Sequence, residues 1–134
     1  MDRASNRALY TPINANEMSL TRIGTVIKNP FAGKAITTKA LVDTGATLTV
    51  VPRRIAEELQ LPVIGRRRVA AAKGTTELDE CISIVEFMGR KAYTHILTSN
   101  DVDTVQIGVR TLETLGLEVD LTTGKLKEAT TYLL

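Results

Sequence analysis

Turn-forming residues cut this chain into short pieces, and that spacing limits it to a fold built from short strands. Asn29-Pro30 with Ala32-Gly33, then Lys73-Gly74, Met88-Gly89-Arg90 and Thr122-Thr123-Gly124, each interrupt an apolar run. Gly, Asn and Pro break regular structure for distinct backbone reasons, so these clusters mark turns. Between them the pattern is strand-like. Ile23, Thr25 and Ile27 alternate with Gly24 and Val26, and Ala35 to Val42 is rich in β-branched residues. Residues 63–98 predict three strands joined by hairpins at Lys73-Gly74 and Met88-Gly89-Arg90. Leu48 to Val51 and Val105 to Ile107 are shorter apolar strands. The first of two short helices opens at Pro52, placed in the first helical turn. It turns Ile55, Ala56 and Leu59 inward and Arg53, Arg54, Glu57 and Glu58 to water. The second runs from Val109 to Leu115 and ends on Gly116 as its C-cap. The predicted class is all-β, meaning mostly β with two short helices. No long helices alternate with strands, which argues against a doubly wound parallel sheet.

A chain of 134 residues makes one domain and can bury a core unaided. The polar stretch 1–17 reads as a flexible N-terminal arm, 18–126 as the folded domain and 127–134 as a C-terminal tail that could lie in an interface. Aromatics are only 4% of residues and Trp is absent, so the core must be aliphatic. The formal charge of +2, from 17 basic and 15 acidic residues, is too balanced to imply nucleic acid. The aromatic residues form no stacking platform for single strands either. Arg66-Arg67-Arg68 is read as a solvated strand edge. A lone Cys81 allows no internal disulfide, the N-terminus lacks a signal peptide, and no run reaches the roughly 20 apolar residues of a membrane span. A cytoplasmic protein without a membrane partner is the expectation. His95 is the only histidine, and both it and Cys81 sit in strand-like runs. Packing accounts for them better than a Cys–His nucleophile, and no metal or cofactor is expected.

Two segments echo each other. Ala40-Leu41-Val42 leads through Gly45 to a helix ending at Leu59, and Val105-Gln106-Ile107 leads through Gly108 to a helix ending at Leu115. Leu59, Leu61 and Val63 match Leu115, Leu117 and Val119 in offset. A strand, a glycine, a helix and an apolar exit recur. Any β-α unit has this outline, and so do two structurally similar halves of one domain.

The residues that carry chemistry are in Leu41-Val42-Asp43-Thr44-Gly45-Ala46-Thr47. Asp-Thr-Gly alone makes a good surface turn. Here it follows Ala-Leu-Val and precedes Leu-Thr-Val-Val, which puts an aspartate at the end of a core strand. Gly45 lets backbone N–H groups approach a carboxylate, Thr44 can hydrogen-bond to another backbone, and Ala46 keeps the site open. Ala40 to Pro52 resembles the active-site segment of the retropepsin-like aspartic peptidases, more narrowly the small single-domain prokaryotic type. Val105-Gln106-Ile107-Gly108 and the helix after it resemble that family's second signature. The likeness spans roughly residues 20–126. It implies a closed β-barrel of the acid protease fold, Asp43 as the catalytic residue with Thr44, Gly45 and Ala46 in support, and Ile107 and Gly108 as the second signature. The hairpin at Ala72, Lys73, Gly74 and Thr75 lies where the family carries its flap.

One departure stands out. Viral members pair acidic residues just after the motif with an arginine directly after the second glycine. Those positions hold Thr47, Leu48 and Val109 here, with Arg110 one place later. The chemistry the resemblance implies needs two carboxylates and one water. Asp2, Asp79, Asp101, Asp103 and Asp120 all lack the motif's context, so the second carboxylate must be Asp43 of another copy. The reading is an aspartic endopeptidase acting as a homodimer on peptide or protein substrates. Two alternatives stand beside it: a non-catalytic peptide-binding or dimerisation module on the same fold, and a nucleic-acid-associated β-barrel using Arg66 to Arg68.

Overall fold

The computed structural model describes residues 11–12 and 20–133. The strands are β1 (Thr11–Pro12), β2 (Leu20–Lys28), β3 (Ala35–Asp43), β4 (Thr49–Pro52), β5 (Val63–Ala71), β6 (Gly74–Phe87), β7 (Arg90–Ser99), β8 (Val105–Ile107), β9 (Leu117–Asp120) and β10 (Lys125–Glu128). Two short helices interrupt them, α1 (Arg53–Glu58) and α2 (Val109–Leu115).

The main sheet runs β1-β2-β3-β8-β4-β7-β6-β5, and β2 pairs a second time, with β6. That second pairing (Val26↔Glu86, Ile27↔Val85, Lys28↔Ile84) closes a six-stranded barrel. Closure removes two sheet edges and leaves β5 as an outer flange on β6. The retropepsin-like fold class read from the sequence is therefore the one observed.

Alternation fills the barrel. Ile23, Thr25 and Ile27 point inward, and Ile23, Ile27, Val42, Val51, Val85, Ile96, Val105 and Ile107 have no exposed surface. The core is aliphatic, with Phe87 its one buried aromatic among the described residues. Buried Thr25 satisfies its hydroxyl on the Ile23 carbonyl at 3.1 Å. Buried Asn29 joins the β2–β3 turn to the end of α1. Its amide donates to the Leu59 and Gln60 carbonyls, both at 2.9 Å, and its Oδ1 accepts from the Phe31 and Ala32 N–H groups.

The hairpins form where the turn residues place them. Phe87 pairs with Arg90 across Met88 and Gly89, whose φ values of 53° and 72° are those of a type I′ turn. Ala71 pairs with Gly74 across Ala72-Lys73. The second helix spans the residues the sequence predicts, with Gly116 at φ 72° as its cap. Pro52 differs by one place: it precedes α1 in an extended conformation instead of occupying the first turn. A proline there loses nothing, because that position needs no N–H.

The two echoing segments lie side by side as parallel β3 and β8, with Ala40, Leu41 and Val42 opposite Val105, Gln106 and Ile107. Of the expected N-terminal arm, Thr11 and Pro12 pair with Arg22 and Thr21, and the rest lies outside the described residues. At the other end β10 pairs with β9 through Glu128 and buries Leu126, so the expected boundary at 126 falls inside a strand. No described helix is long and apolar enough to cross a membrane.

Candidate active site

Asp43 is the last residue of β3, and both neighbours fix the strand that carries it. Asp43 lies opposite Leu20 on β2, and Val42 lies opposite Ile107 on β8. The chain then turns at once: the Ala46 N–H donates to the Asp43 carbonyl at 3.1 Å. The Gly45 N–H donates to Asp43 Oδ1 at 2.9 Å, so the motif orients its own half-buried carboxylate. A Cβ on Gly45 would stand 3.2 Å from that oxygen and push against it.

The loop is clasped from the far end of the sequence. The Val109 N–H donates to the Ala46 carbonyl at 2.8 Å and the Arg110 N–H to the Thr47 carbonyl at 3.0 Å. These are first-turn donors of α2, which have no partner inside the helix. Gly108 permits the approach, since a Cβ there would lie 2.5 Å from the Leu48 carbonyl carbon. Its N–H donates to Thr49 Oγ1 at 3.0 Å, and Thr49 and Thr111 share a hydroxyl contact of 2.6 Å. Both threonines are fully buried.

This arrangement occupies the place of the missing acid–arginine pair. Leu48 is buried, Val109 contributes its backbone, and the Arg110 side chain makes no ion pair among the described residues. Sequence reasoning passed over Thr49 and Thr111. The available signal was Thr49 within the apolar run Leu48 to Val51 and Thr111 next to Leu112 in the helix after Gly108. Ile107 is buried in the barrel and anchors the second signature. Thr44 is half-buried, and its hydroxyl makes no hydrogen bond among the described residues.

A cleft of about 710 Å³ separates the Asp43 loop from the β5–β6 hairpin. Asp43, Gly45, Ala46 and Thr47 line one side, and Arg67 to Ala71 with Thr76 and Leu78 line the other. Of the expected flap residues, Ala72, Lys73, Gly74 and Thr75 form the hairpin tip without lining the cleft; the strands beneath the tip do so.

The arginine run on β5 is an ion-paired edge. Arg66 reaches Asp79 at 2.8 Å and Glu77 at 3.5 Å, and Arg67 reaches Glu80 at 2.8 Å. Glu80 is buried and also meets His95 Nδ1 at 2.6 Å. The Arg67 hydrogen bond holds the Glu80 carboxyl below the usual glutamate range against the opposing effect of burial, and the His95 contact adds to it. Cys81 is buried opposite Ile96, and burial raises its thiol, so it is not poised as a thiolate. Among the described residues no group of His, Cys, Asp and Glu could hold a metal ion.

A family model described as "gag-polyprotein putative aspartyl protease" matches residues 30–113. The chain belongs to that family. The matched span of this aspartyl protease family runs from the β2–β3 turn into α2 and so holds the Asp43 loop, the hairpin and the Gly108 clasp. No curated protein matches the chain. Among solved structures, EIAV protease complexed with the inhibitor HBY-793 matches with a TM-score of 0.58 at 18% identity, over 81% of this chain and 99% of that one. At that identity the likeness bears on the retropepsin fold.

Proposed function

We propose that this member of the aspartyl protease family is an aspartic endopeptidase that works as a homodimer, with Asp43 of each copy at a shared site. The observation that carries the reading is the Asp43 carboxylate, oriented by the Gly45 N–H at the mouth of a peptide-sized cleft. Asp101 is the one other carboxylate in the lining, and it stands in a polar loop outside any Asp-Thr-Gly turn. A two-fold axis beside Asp43 supplies the second acid from an identical loop.

The pair holds one proton, because two like charges about 3 Å apart do not both ionise cheaply. The ionised carboxylate takes a proton from the water as oxygen attacks the scissile carbonyl, and the neutral acid protonates the carbonyl oxygen. The gem-diol then collapses: its hydroxyl proton returns to a carboxylate, the amide nitrogen takes a proton, and the C–N bond breaks. The two acids act as a unit, with no fixed role for either copy. The Gly45 N–H of each copy keeps its Asp43 carboxyl in position throughout. The substrate lies extended and adds strand-like hydrogen bonds beneath the hairpins, which close over it.

The test is cleavage of unfolded casein at pH 4–6 by wild type and Asp43→Asn. Wild type should produce fragments that a pepstatin-type inhibitor suppresses. The variant should lose on the order of 10³-fold or more in rate while eluting as an unchanged dimer. Cleavage retained by the variant would end the peptidase reading.

A further inference from the structure

The three arginines of β5 are not equivalent. Arg66 is engaged with Glu77 and Asp79. Arg67 and Arg68 both line the cleft. Register places Arg67 opposite Leu78 and Val69 opposite Thr76, and these four residues line the cleft together.

Arg67 is held in an unusual way. Its Nε and Nη2 both donate to Glu80, at 2.8 and 3.3 Å, which uses the side edge of the guanidinium. Its Nη1 makes no hydrogen bond among the described residues, so the end edge, Nη1 with the second N–H of Nη2, keeps its donors. A guanidinium has five N–H donors in a rigid fork, and either edge matches the two oxygens of a carboxylate. Glu80 is itself fixed, with a side chain only 10% exposed and its Oε2 on His95 Nδ1. The free edge is therefore set in advance and loses little rotamer freedom on binding. Arg68 makes no ion pair among the described residues, but strand alternation sends its side chain to the face of Arg66 and Glu77, so the Arg67 fork is the guanidinium that shares the Leu78 and Glu80 face.

We propose that Arg67 is a specificity-determining residue that seats an acidic side chain of the peptide on its free fork. The substrate class is peptides with Glu or Asp at one fixed distance from the cut bond, on either side of it, because the two-fold axis supplies two copies of Arg67. The inference rests on the peptidase reading above.

The experiment digests a proteome-derived peptide library with wild-type protein at pH 5.5, where a free glutamate side chain is ionised, and reads the new termini by mass spectrometry. Glu and Asp should be enriched at that distance on both sides of the cut. Matched peptides with Glu or Gln there should differ by about 10- to 100-fold in kcat/KM, chiefly through KM, as a charge-assisted bidentate pair predicts. In Arg67→Met that ratio should fall to about one. The ratio is internal to each protein, so partial misfolding does not imitate the result, and the wild-type library decides alone if the variant does not fold. Asp43-dependent cleavage without acidic enrichment, or a ratio that survives Arg67→Met, overturns the inference and leaves the peptidase reading intact. Absence of any Asp43-dependent cleavage removes both.

Discussion

Gly108 shows how one residue sets the site from outside it. Its φ of −90° suits any amino acid, so the demand is purely for space. A methyl group there would meet Leu48 carbon at 2.5 Å and the Thr47 carbonyl oxygen at 2.9 Å, both backbone atoms without a rotamer to yield. Gly108→Ala should therefore lower stability by about 3 kcal/mol, the upper part of the usual overpacking range. Urea unfolding at neutral pH measures it, and a loss below about 0.5 kcal/mol would mean that the clasp has slack. Gly45 differs in kind, because its added Cβ would meet only the Asp43 carboxylate, which can rotate. Damage there should be to orientation.

At the scale of elements, β5, β6 and β7 are stitched by the Arg67–Glu80–His95 cluster, one residue from each strand. The folded state lowers the Glu80 carboxyl. Its contribution to stability is thus fully present above the ordinary glutamate value of about 4.3 and is lost as pH falls through the lower folded value. Glu80→Gln should be less stable than wild type at pH 7, and the gap should narrow below about pH 4. Urea midpoints across that range check both statements, and a gap that widens toward acid would contradict them. Much of this level was legible in the sequence. Gly and Asn turns fixed the hairpins, the Gly116 cap closed α2 where expected, and the Ala40 and Val105 echo became a paired register. The Asp43 loop was legible because a carboxylate between two apolar runs is costly to place and so marks a site. The resemblance implied a closed barrel, but that β2 meets β6 was not legible from the residues, nor was the Thr49–Thr111 contact, 62 residues apart, because no local pattern encodes which distant faces meet. The cleft lining followed the same logic. Sequence position put the flap at its turn, whereas twist and register bring the strands below the turn over Asp43.

At the scale of the whole molecule, the proposed two-copy site ties rate to assembly. Below the dimer dissociation constant the dimer population varies with the square of concentration. A tenfold dilution should then lower total cleavage about 100-fold and activity per chain about tenfold. A flat specific activity through a dilution range in which sedimentation shows dissociation would exclude a shared site. The clasp on the Asp43 loop adds a restriction in time. The donors that hold Ala46 and Thr47 belong to Val109 and Arg110, and the parallel partner of β3 is β8. A ribosome-bound chain that has exposed only its first hundred residues owns the aspartate but has nothing to fasten the turn that carries it. The aspartate is thus placed in the chain well before the residues that hold its turn, and the clasp can form only once β8 and α2 have emerged.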